Sequence, residues 1–497
     1  MIHLLISREY PPCTYPMGGI GAYVRRIARL LAERGETVHV IAERWQGAPL
    51  AREVLVDGRL TVHRVWTSRP IGDSRTPHAD ADLLEAMAAS PFPAQAFSWQ
   101  AAMLAERLVE SERVDVIEAQ DYEAPLYYFL VRRALGAGPS RRPPCFVHLH
   151  TTHEQVCRAN GWSIDTPQAR LMKTHEDDAI RAADALLAPS RFLARETERS
   201  GGLPTGSIVT MPYPIGDVPL VERTIDTWTT GTICFVGRYE ARKGLLEWVP
   251  AAIDVASRRP GLRFEFIGAD TPLAENDAGS SVRSTLQSLV PAHLRRAFVF
   301  SGPVDQPLLW RRLGAARIAV VPSRWENFPN TCVEAMCSGL PVLATPNGGM
   351  AEMVQDGVTG WVASSNTPAD LALTLARALT TTPDAVAEMG RRASESIRAQ
   401  CDNARTVDAQ LEFRRALVRR GPGRSMAAPA GTRPTLPTPD SIATGLADEA
   451  ATKRSGSPRW TMIRRVARSA RQALSSPVYT ANWLLWQGWR FLRRVRR

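Results

Sequence analysis

The chain has few cysteines, and their arrangement excludes two kinds of cross-linked protein. Seven cysteines are spread over 497 residues, their number is odd, and no two have the C-x-x-C spacing of a zinc or redox site. We therefore expect a reduced, cytosolic setting, without a disulfide framework or a structural zinc site. The cysteines are at positions 13, 145, 157, 234, 332, 337 and 401.

Long apolar runs are also missing. No stretch of about 18 consecutive apolar residues is present, so the sequence predicts no membrane-spanning helix. The first residues, MIHLLIS, have no basic leader and are too short for a signal peptide, and we interpret them as a first strand. The content of 44% hydrophobic and 22% charged residues is typical of a soluble protein.

Most of the chain lacks an excess of positive charge. The net charge is +11, but twelve Lys and Arg and no acidic residue lie between Lys453 and Arg497. Removing these twelve from the 61 basic side chains leaves 49, against 50 acidic ones, over residues 1–452. A near-neutral body argues against nucleic acid as its partner, because the positive charge belongs to the tail.

The sequence does contain a repeated alternation of apolar strands and amphipathic helices. It begins with a strand at residues 2–7, continues with a helix whose apolar positions recur from Val24 to Leu31, and returns to a strand at residues 37–42. Such alternation predicts an α/β fold with parallel sheets covered by helices on both faces. The other predicted strands span residues 114–119, 146–150, 185–189, 232–236, 262–267, 297–301 and 318–321.

The length indicates two domains, because a single core stops growing near about 250–300 residues. The alternation pauses in a polar, proline-containing stretch and then restarts, which places a boundary near residue 220. We predict domains at residues 1–220 and 221–395, followed by a C-terminal helix at 396–420 that packs back toward the first domain.

Beyond residue 420 the composition changes. Residues 421–457 are rich in Pro, Gly, Ser and Thr and predict a disordered linker. Residues 458–497 predict a basic amphipathic tail with four tryptophans. One interpretation is an anchor on an anionic membrane, with tryptophans in the headgroup region and arginines on the lipids. A simple basic tail, or one that binds RNA or a partner enzyme, is the alternative.

The segment PSRWENFPNTCVEAM, residues 322–336, contains the most specific candidate site. A strand ends before it, and after a short loop Asn330 can cap a helix whose free backbone N–H groups suit a diphosphate. Glu326 lies in the loop and Glu334 about one turn into the helix, so both carboxylates can face one cleft and accept hydrogen bonds from hydroxyls. An exposed acidic loop is the alternative for this segment taken alone.

Two cations follow an earlier predicted strand, in the segment FVGRYEARKG. Arg238 and Lys243 are joined by a short loop and can converge on one diphosphate, Arg as a planar fork and Lys as a compact charge. A solvated basic turn is the alternative for this pair.

A glycine pair, Gly18 and Gly19, stands where the first long loop meets the first helix. Glycines at this place let backbone N–H groups approach a phosphate closely. The rival interpretation, a dinucleotide-binding dehydrogenase, requires G-x-G-x-x-G directly after the strand. Here about a dozen residues intervene and Val24 occupies the place of the third glycine, so we reject it.

Three histidines, His148, His150 and His153, lie at the end of a predicted strand in FVHLHTTHE. A metal site is disfavoured, because only Glu154 joins them as an acidic partner and no cysteine has metal-ligand spacing. Alternation along a strand places His148 and His150 on one face and His153 beyond the strand end. A buried, hydrogen-bonded histidine is the alternative to a functional one.

Taken together, these segments resemble family 4 of the retaining glycosyltransferases, which has the GT-B architecture of two facing Rossmann-like domains with a cleft between them. That family has an E-x7-E signature, which Glu326 and Glu334 match, and the run NGGMAEMVQDGVTGWV matches its continuation. The resemblance covers roughly residues 1–415. The matching signature positions are Pro322, Ser323, Glu326, Phe328, Glu334, Ala335, Met336, Gly339, Pro341 and Val342.

The resemblance implies transfer of a hexosyl group from a nucleoside diphosphate sugar, bound by the second domain, to an acceptor hydroxyl at the first. It implies retention of configuration and no metal or other cofactor. Arg238 and Lys243 would neutralise the leaving diphosphate, Glu326 would hold the sugar and Glu334 the ribose. His150 would lie near the donor sugar and the acceptor. The implied donor site also includes Gly18, Gly19, Phe328, Pro329, Asn330 and Thr331, and Asp121 and His153 are candidates for acceptor contacts.

The substrates stay open. A glycan, a lipid-linked or a small-molecule acceptor fits, and the expected setting is cell-envelope or exopolysaccharide synthesis in the cytoplasm, peripherally at the inner face of the membrane. A sugar phosphorylase, a nucleotide-sugar epimerase and a non-catalytic sugar-binding relative would share the fold and are the alternatives.

Overall fold

The computed structural model describes residues 1–13, 18–45, 47, 50–67, 78–273 and 280–422. The predicted linker, from residue 423 onward, and the predicted basic tail lie outside the described residues. Within them the chain forms two sheets with helices on their faces, which confirms the predicted α/β class. None of the helices described has the length and apolar character needed to cross a bilayer.

The first sheet contains eight strands. They are β1 (Ile2–Ile6), β2 (Thr37–Arg44), β3 (Arg52–Leu55), β4 (Leu60–Trp66), β5 (Val116–Gln120), β6 (Cys145–His148), β7 (Ala185–Ala188) and β8 (Val209–Thr210). Their order across the sheet is β3-β4-β2-β1-β5-β6-β7-β8, and only the pair β3 and β4 is antiparallel. The accompanying helices are α1 (Gly19–Glu33), α2 (His78–Ala88), α3 (Gln95–Ser111), α4 (Tyr127–Ala134), α5 (His153–Asn160), α6 (Pro167–Ala182) and α7 (Arg191–Gly201).

The first βαβ unit forms because its apolar residues have the right period. Leu5 of β1 is completely buried, and α1 buries Val24, Ile27 and Leu31, which recur at helical spacing along one face. Gly35 follows the end of α1 with a φ of +85°, a left-handed conformation that favours glycine and turns the chain into β2.

The second sheet contains six parallel strands. They are β9 (Thr232–Val236), β10 (Phe264–Ile267), β11 (Phe298–Ser301), β12 (Ala316–Val321), β13 (Val342–Ala344) and β14 (Gly360–Val362), in the order β11-β10-β9-β12-β13-β14. The accompanying helices are α8 (Ile225–Thr230), α9 (Leu245–Arg258), α10 (Val282–Leu289), α11 (Gln306–Gly314), α12 (Asn330–Cys337), α13 (Pro368–Thr380) and α14 (Pro383–Gln400).

All nine strands that the sequence predicts are present, with ends shifted by at most two residues. The strand predicted at residues 146–150 ends at His148, so His150 lies in the loop that follows β6. The sequence analysis does not identify β3, β4, β8, β13 and β14. Four of these have only two to four residues, too few to show a period.

The chain crosses between the two sheets twice, and the crossings are hydrogen-bonded to each other. Ile215 N donates to Cys401 O at 3.0 Å, and Gly216 N donates to the Asn403 side chain at 2.9 Å. After the second crossing, α15 (Asn403–Arg420) lies against α1 and β5 of the first sheet. The structure therefore divides the segment predicted as one helix, 396–420, between the end of α14 and α15.

A buried polar network joins α15 to the first sheet. Arg414 of α15 forms an ion pair with Glu118 of β5, and both side chains are completely buried. Glu118 also accepts a hydrogen bond from the Tyr23 hydroxyl at 2.9 Å and lies 3.3 Å from His148 Nδ1. Because the ion pair and the hydrogen bonds on Glu118 are buried in the core, they fix the position of α15.

Candidate functional site

The loop after β12 holds Glu326 in a tight backbone turn. Gly349 N donates to Glu326 O at 2.8 Å. A Cβ atom at Gly348 would lie only 1.9 Å from that oxygen, so this close approach requires glycine. On the side chain, Ser323 Oγ donates to Glu326 Oε1 at 3.3 Å. Backbone and carboxylate of Glu326 are thus both fixed.

The Glu326 carboxylate lies between two cations. Lys243 Nζ forms an ion pair with Oε1, and Arg242 Nη1 lies 3.5 Å from Oε2. Burial raises the pKa of Glu326, but Lys243 and Arg242 lower it below its usual range, so the carboxylate is ionised. Burial and Arg242 lower the pKa of Lys243. The arrangement is a dense, preorganised ion network.

The two predicted cations do not occupy the same place. Arg238 is half exposed, with 54% of its side chain accessible, and its Nε lies 2.8 Å from Glu240 Oε1. Lys243 is instead largely buried, with 14% of its side chain accessible, and is paired with Glu326. Glu240 joins the two ends, because its Oε2 lies 2.6 Å from Arg242 Nε. Arg242 and Glu240 were not predicted as site residues, although both lie in the segment FVGRYEARKG.

Helix α12 begins differently from the prediction. Its N-cap is Pro329, and no side chain caps it, so the assignment of Asn330 as the cap is wrong. Asn330 is the first helical residue, and its side chain points to the first domain instead, where Nδ2 donates to Gly19 O at 3.4 Å. Thr331, half-buried, follows in the first turn. The backbone N–H groups of this turn remain a helix N-terminus without a side-chain cap.

Glu334 contacts the first domain. Arg26 of α1 donates to Glu334 Oε1 at 3.0 Å and to Asn330 Oδ1 at 3.4 Å. Burial raises the pKa of Glu334, and Arg26 opposes that effect. The two signature carboxylates therefore have different partners: Glu326 is bound by cations of its own domain, and Glu334 by a cation from across the interface.

Glu9 occupies the N-terminus of α1. Gly18 is the N-cap and has no side chain to fill that position. A Cβ atom on Gly18 would lie 2.7 Å from Glu9 Oε2. Burial raises the pKa of Glu9, while Arg238 and the backbone N–H groups of Gly21 and Gly18 lower it. Glu9, three residues after the end of β1, was not predicted, although its carboxylate lies at the place predicted for a phosphate.

His150 has one ring nitrogen bonded and one free. Its Nδ1 lies 2.6 Å from the Tyr213 hydroxyl, and its Nε2 has no hydrogen-bond partner among the described residues. Burial lowers the pKa of His150 well below its usual value, and neighbouring His148 adds to this effect, so the ring is neutral. The sequence analysis also missed Tyr213, which no spacing rule connects to His150.

Asp121 and His153 have local structural partners. Asp121 Oδ1 accepts hydrogen bonds from the backbone N–H groups of His150 and Tyr122, both at 2.9 Å. Burial raises the pKa of Asp121 to about 7. His153 begins α5, donates its backbone N–H to Glu176, and has Nε2 3.3 Å from Cys157 Sγ. In the described part of the chain, no cluster of His, Cys, Asp or Glu is arranged to hold a metal ion.

The two domains meet through several polar contacts around this site. Asn160 Oδ1, at the end of α5, accepts a hydrogen bond from Arg242 N at 2.9 Å. Glu352, from the second domain, accepts from the first backbone N–H groups of α7, Arg191 at 3.1 Å and Phe192 at 2.7 Å. Phe328 lies edge-on to Tyr213, with ring centroids 5.5 Å apart. Residues of both domains therefore form one site.

Two family models match the chain, one for each domain. The glycosyl transferase 4-like domain matches residues 18–214, and the model for glycosyl transferases group 1 matches residues 228–397. The first range begins after β1 and ends just after β8, and the second begins just before β9, so each match lies within one domain.

Curated relatives align over most of the chain. D-inositol 3-phosphate glycosyltransferase from Acidothermus cellulolyticus is 29% identical over 433 residues, which cover 83% of this chain and 88% of the relative. Glycogen synthase from Mycobacterium tuberculosis is 25% identical over 414 residues, which cover 82% and 93% of the two chains.

Solved structures share the fold. Sucrose-phosphate synthase from Thermosynechococcus elongatus superposes with a TM-score of 0.65 and 17% identity, over 84% of this chain and 100% of the other. HepE from Anabaena, solved with UDP-glucose, gives a TM-score of 0.57 with 17% identity over the same shares. The chain therefore belongs to the group 1 glycosyltransferases and is a nucleotide-sugar glycosyltransferase of the GT-B type with a family 4-like first domain.

Proposed function

We propose that this glycosyltransferase moves a hexosyl group from a nucleoside diphosphate sugar to an acceptor hydroxyl with retention of anomeric configuration. The observation that carries the proposal is the ion network in which Lys243 and Arg242 flank Glu326. Arg238, at the outer end of that network, is close enough to Glu9 to lower its pKa. A diphosphate bound here would therefore contact both the cations of the second domain and the backbone N–H groups at the N-terminus of α1.

In the proposed reaction, the bond between the anomeric carbon and the diphosphate oxygen breaks, and a bond from the acceptor oxygen to that carbon forms. The acceptor proton passes to an oxygen of the leaving diphosphate. Negative charge grows on the diphosphate and is met by Lys243, Arg238 and backbone N–H groups near Gly19, which are fixed before the reaction begins. Because these groups supply the charge, the proposal includes no metal ion or other cofactor.

Each carboxylate has a separate proposed role. Ionised Glu326 accepts hydrogen bonds from hydroxyls of the transferred sugar, and Lys243 and Arg242 hold it in place. Glu334 accepts from the ribose and would exchange its contact with Arg26 for ribose hydroxyls. Phe328 and Pro329 shape the wall between the two carboxylates. Asp121 and His153 support the loop after β6, so we propose that they affect acceptor binding through that loop.

A donor panel tests this function. The full chain is mixed with UDP-glucose, UDP-galactose or GDP-mannose, and the unfolding temperature and donor consumption are measured with and without EDTA. One donor is expected to stabilise the fold in proportion to ln(1 + [L]/Kd) and to be consumed only with a hydroxyl acceptor. UDP-glucose is tested first, because HepE is solved with it. Consumption that requires inorganic phosphate would indicate a phosphorylase, and isomerisation of the donor an epimerase.

Replacing Glu9 with glutamine is expected to tighten donor binding about tenfold, a change of ~1.4 kcal/mol. Its carboxylate lies at the N-terminus of α1 and repels a diphosphate, whereas the amide keeps the shape without the charge. The Kd of the nucleoside diphosphate is measured by calorimetry. Glu33→Gln, at the exposed end of the same helix, is the matched control. An unchanged or weaker affinity in the Glu9 variant alone would show that the diphosphate binds elsewhere.

The acceptor and the setting are part of the proposal. We propose a glycan, lipid-linked or small-molecule acceptor in cell-envelope or exopolysaccharide synthesis, at the cytoplasmic face of the membrane. The twelve basic residues from Lys453 to Arg497 support binding to anionic lipid, at about 1 kcal/mol each near the surface. The full chain should float with anionic vesicles at physiological salt, and a chain ending at residue 422 should not. Equal flotation of both forms would refute the anchor.

A further inference from the structure

Tyr213 lies where the chain leaves the first sheet and approaches the second. It follows β8, precedes Gly216 of the first crossing, and is buried. Its ring is stacked on His150, with centroids 5.3 Å apart and an angle of 19° between the planes. Its hydroxyl lies 2.6 Å from His150 Nδ1. The contact is therefore both a ring stack and a short hydrogen bond.

The direction of this hydrogen bond decides where His150 carries its proton. Burial raises the pKa of Tyr213 well above its usual value, so the hydroxyl keeps its proton. A neutral imidazole has one N–H group and one acceptor nitrogen, and a phenol is a better donor than acceptor. When the hydroxyl donates to Nδ1, the imidazole proton must be on Nε2.

Two residues of the second domain act on Tyr213. The Asn327 side chain lowers the pKa of Tyr213, against the larger effect of burial. Phe328, the next residue, packs edge-on against the Tyr213 ring at 87°. Both residues belong to the loop that also holds Glu326.

The other neighbours of His150 do not compete for its nitrogens. His148, with ring centroids 5.0 Å away, has its own Nδ1 3.3 Å from the Glu118 carboxylate. Tyr23, at 5.3 Å, donates its hydroxyl to the same carboxylate. Nε2 of His150 is buried and has no partner among the described residues. A buried donor of this kind gains a full hydrogen bond when a ligand oxygen reaches it.

We propose that Tyr213 is a positioning residue that fixes His150 as the Nε2–H tautomer when the loop of Asn327 and Phe328 lies against it. Contact between the two domains thereby makes His150 a hydrogen-bond donor for a hydroxyl or diphosphate oxygen of the substrate. The role of His150 toward the substrate rests on the proposed function, whereas its tautomer depends only on the contact with Tyr213.

The test compares Tyr213→Phe with a matched variant. Phenylalanine keeps the ring stack and removes only the hydroxyl. The control is Tyr128→Phe, which removes a tyrosine hydroxyl of α4 that donates to Gln95 of α3 at 2.9 Å. Side-chain nitrogen NMR of the histidine-labelled full chain reports the tautomer, and His150 is assigned by the signals lost in His150→Gln.

We expect the unmodified chain and the control to carry the His150 proton on Nε2, and Tyr213→Phe to populate the Nδ1–H form. We also expect Tyr213→Phe to lower kcat about tenfold, with donor KM unchanged within about twofold. In the His150→Gln background the same substitution should have no further effect. An Nδ1–H histidine in the unmodified chain, an unchanged tautomer in Tyr213→Phe, or multiplicative rate losses would overturn the proposal. Absence of glycosyl transfer with every donor would refute the function and leave the tautomer test intact.

Discussion

Replacing Lys243 with alanine is expected to lower kcat at least about a hundredfold, which is the loss caused by removing one preorganised group from a growing charge. Lys243 is the cation bound directly to Glu326, so the substitution removes a partner of the diphosphate and also loosens the carboxylate that holds the sugar. Glu326→Ala should cause a loss of the same size. Steady-state kinetics with the donor identified in the panel measure both.

Lys173→Ala is the matched control for Lys243. Its ammonium also forms ion pairs, with Glu154 and Asp177, but on the outer surface of the first domain. The Lys173 variant is expected to keep its rate within about twofold. Its exposed ion pairs contribute little to stability, and they do not involve Glu326. Near-normal turnover in both Lys243→Ala and Glu326→Ala would contradict the site assignment.

Replacing Arg414 with methionine is expected to lower the free energy of unfolding by about 3–5 kcal/mol, which is typical when one partner of a buried ion pair is removed. The completely buried Glu118 carboxylate would lose its cation. The Arg414 guanidinium also lies over the Phe146 ring, 4.9 Å from its centroid, so packing is lost as well. Urea unfolding of the full chain measures the change.

Arg415 provides the control one residue further along the same helix. Its guanidinium pairs with Glu36 at 3.1 Å but is 52% exposed, so Arg415→Met should cost under about 1 kcal/mol. The double substitution Glu118→Gln with Arg414→Met should be more stable than Arg414→Met alone, because no unpaired charge is then buried. Equal losses from the two arginine variants would mean that the buried network does not hold α15.

The sequence predicted those parts of the fold that depend on local pattern. Strands and the stripe on α1 follow from periods of 2 and 3.6 residues, which are visible along the chain. The division between the sheets was visible because the alternation stops and restarts near residue 220. Short strands such as β13, with three residues, form because neighbouring strands pair with them. The local sequence does not predict that pairing.

In the site, the motifs identified residues of both domains but missed the side chains that make contacts between the domains. Glu326 and Lys243 are brought together as the segments predicted, 83 residues apart in sequence. Arg26 and Tyr213 were missed because their roles arise from contact between domains, which sequence spacing does not encode. Asn330 was misassigned as a cap because its type fits a cap, whereas contact with Gly19 and Arg26 uses its side chain instead.

The predicted phosphate site at the N-terminus of α1 holds the Glu9 carboxylate, which was not predicted there. Gly18 and Gly19 do lie at the mouth of α1, as predicted, and Gly18 carries no side chain there. The carboxylate at that helix N-terminus comes from the loop after β1, and the N-terminus of a helix attracts any anion that the chain can supply. The same physical preference that predicts a phosphate site therefore also predicts an internal competitor for it.

The anomeric configuration of the product tests the central claim most directly. The full chain is incubated with the α-linked donor selected by the panel and its acceptor, and the one-bond coupling constant between C1 and H1 of the new glycoside is measured by NMR from the first turnover. Retaining transfer predicts an α-linked product that forms only with a hydroxyl acceptor and is lost in Lys243→Ala. A β-linked product, or an α-linked product formed equally well by Lys243→Ala, would contradict the account.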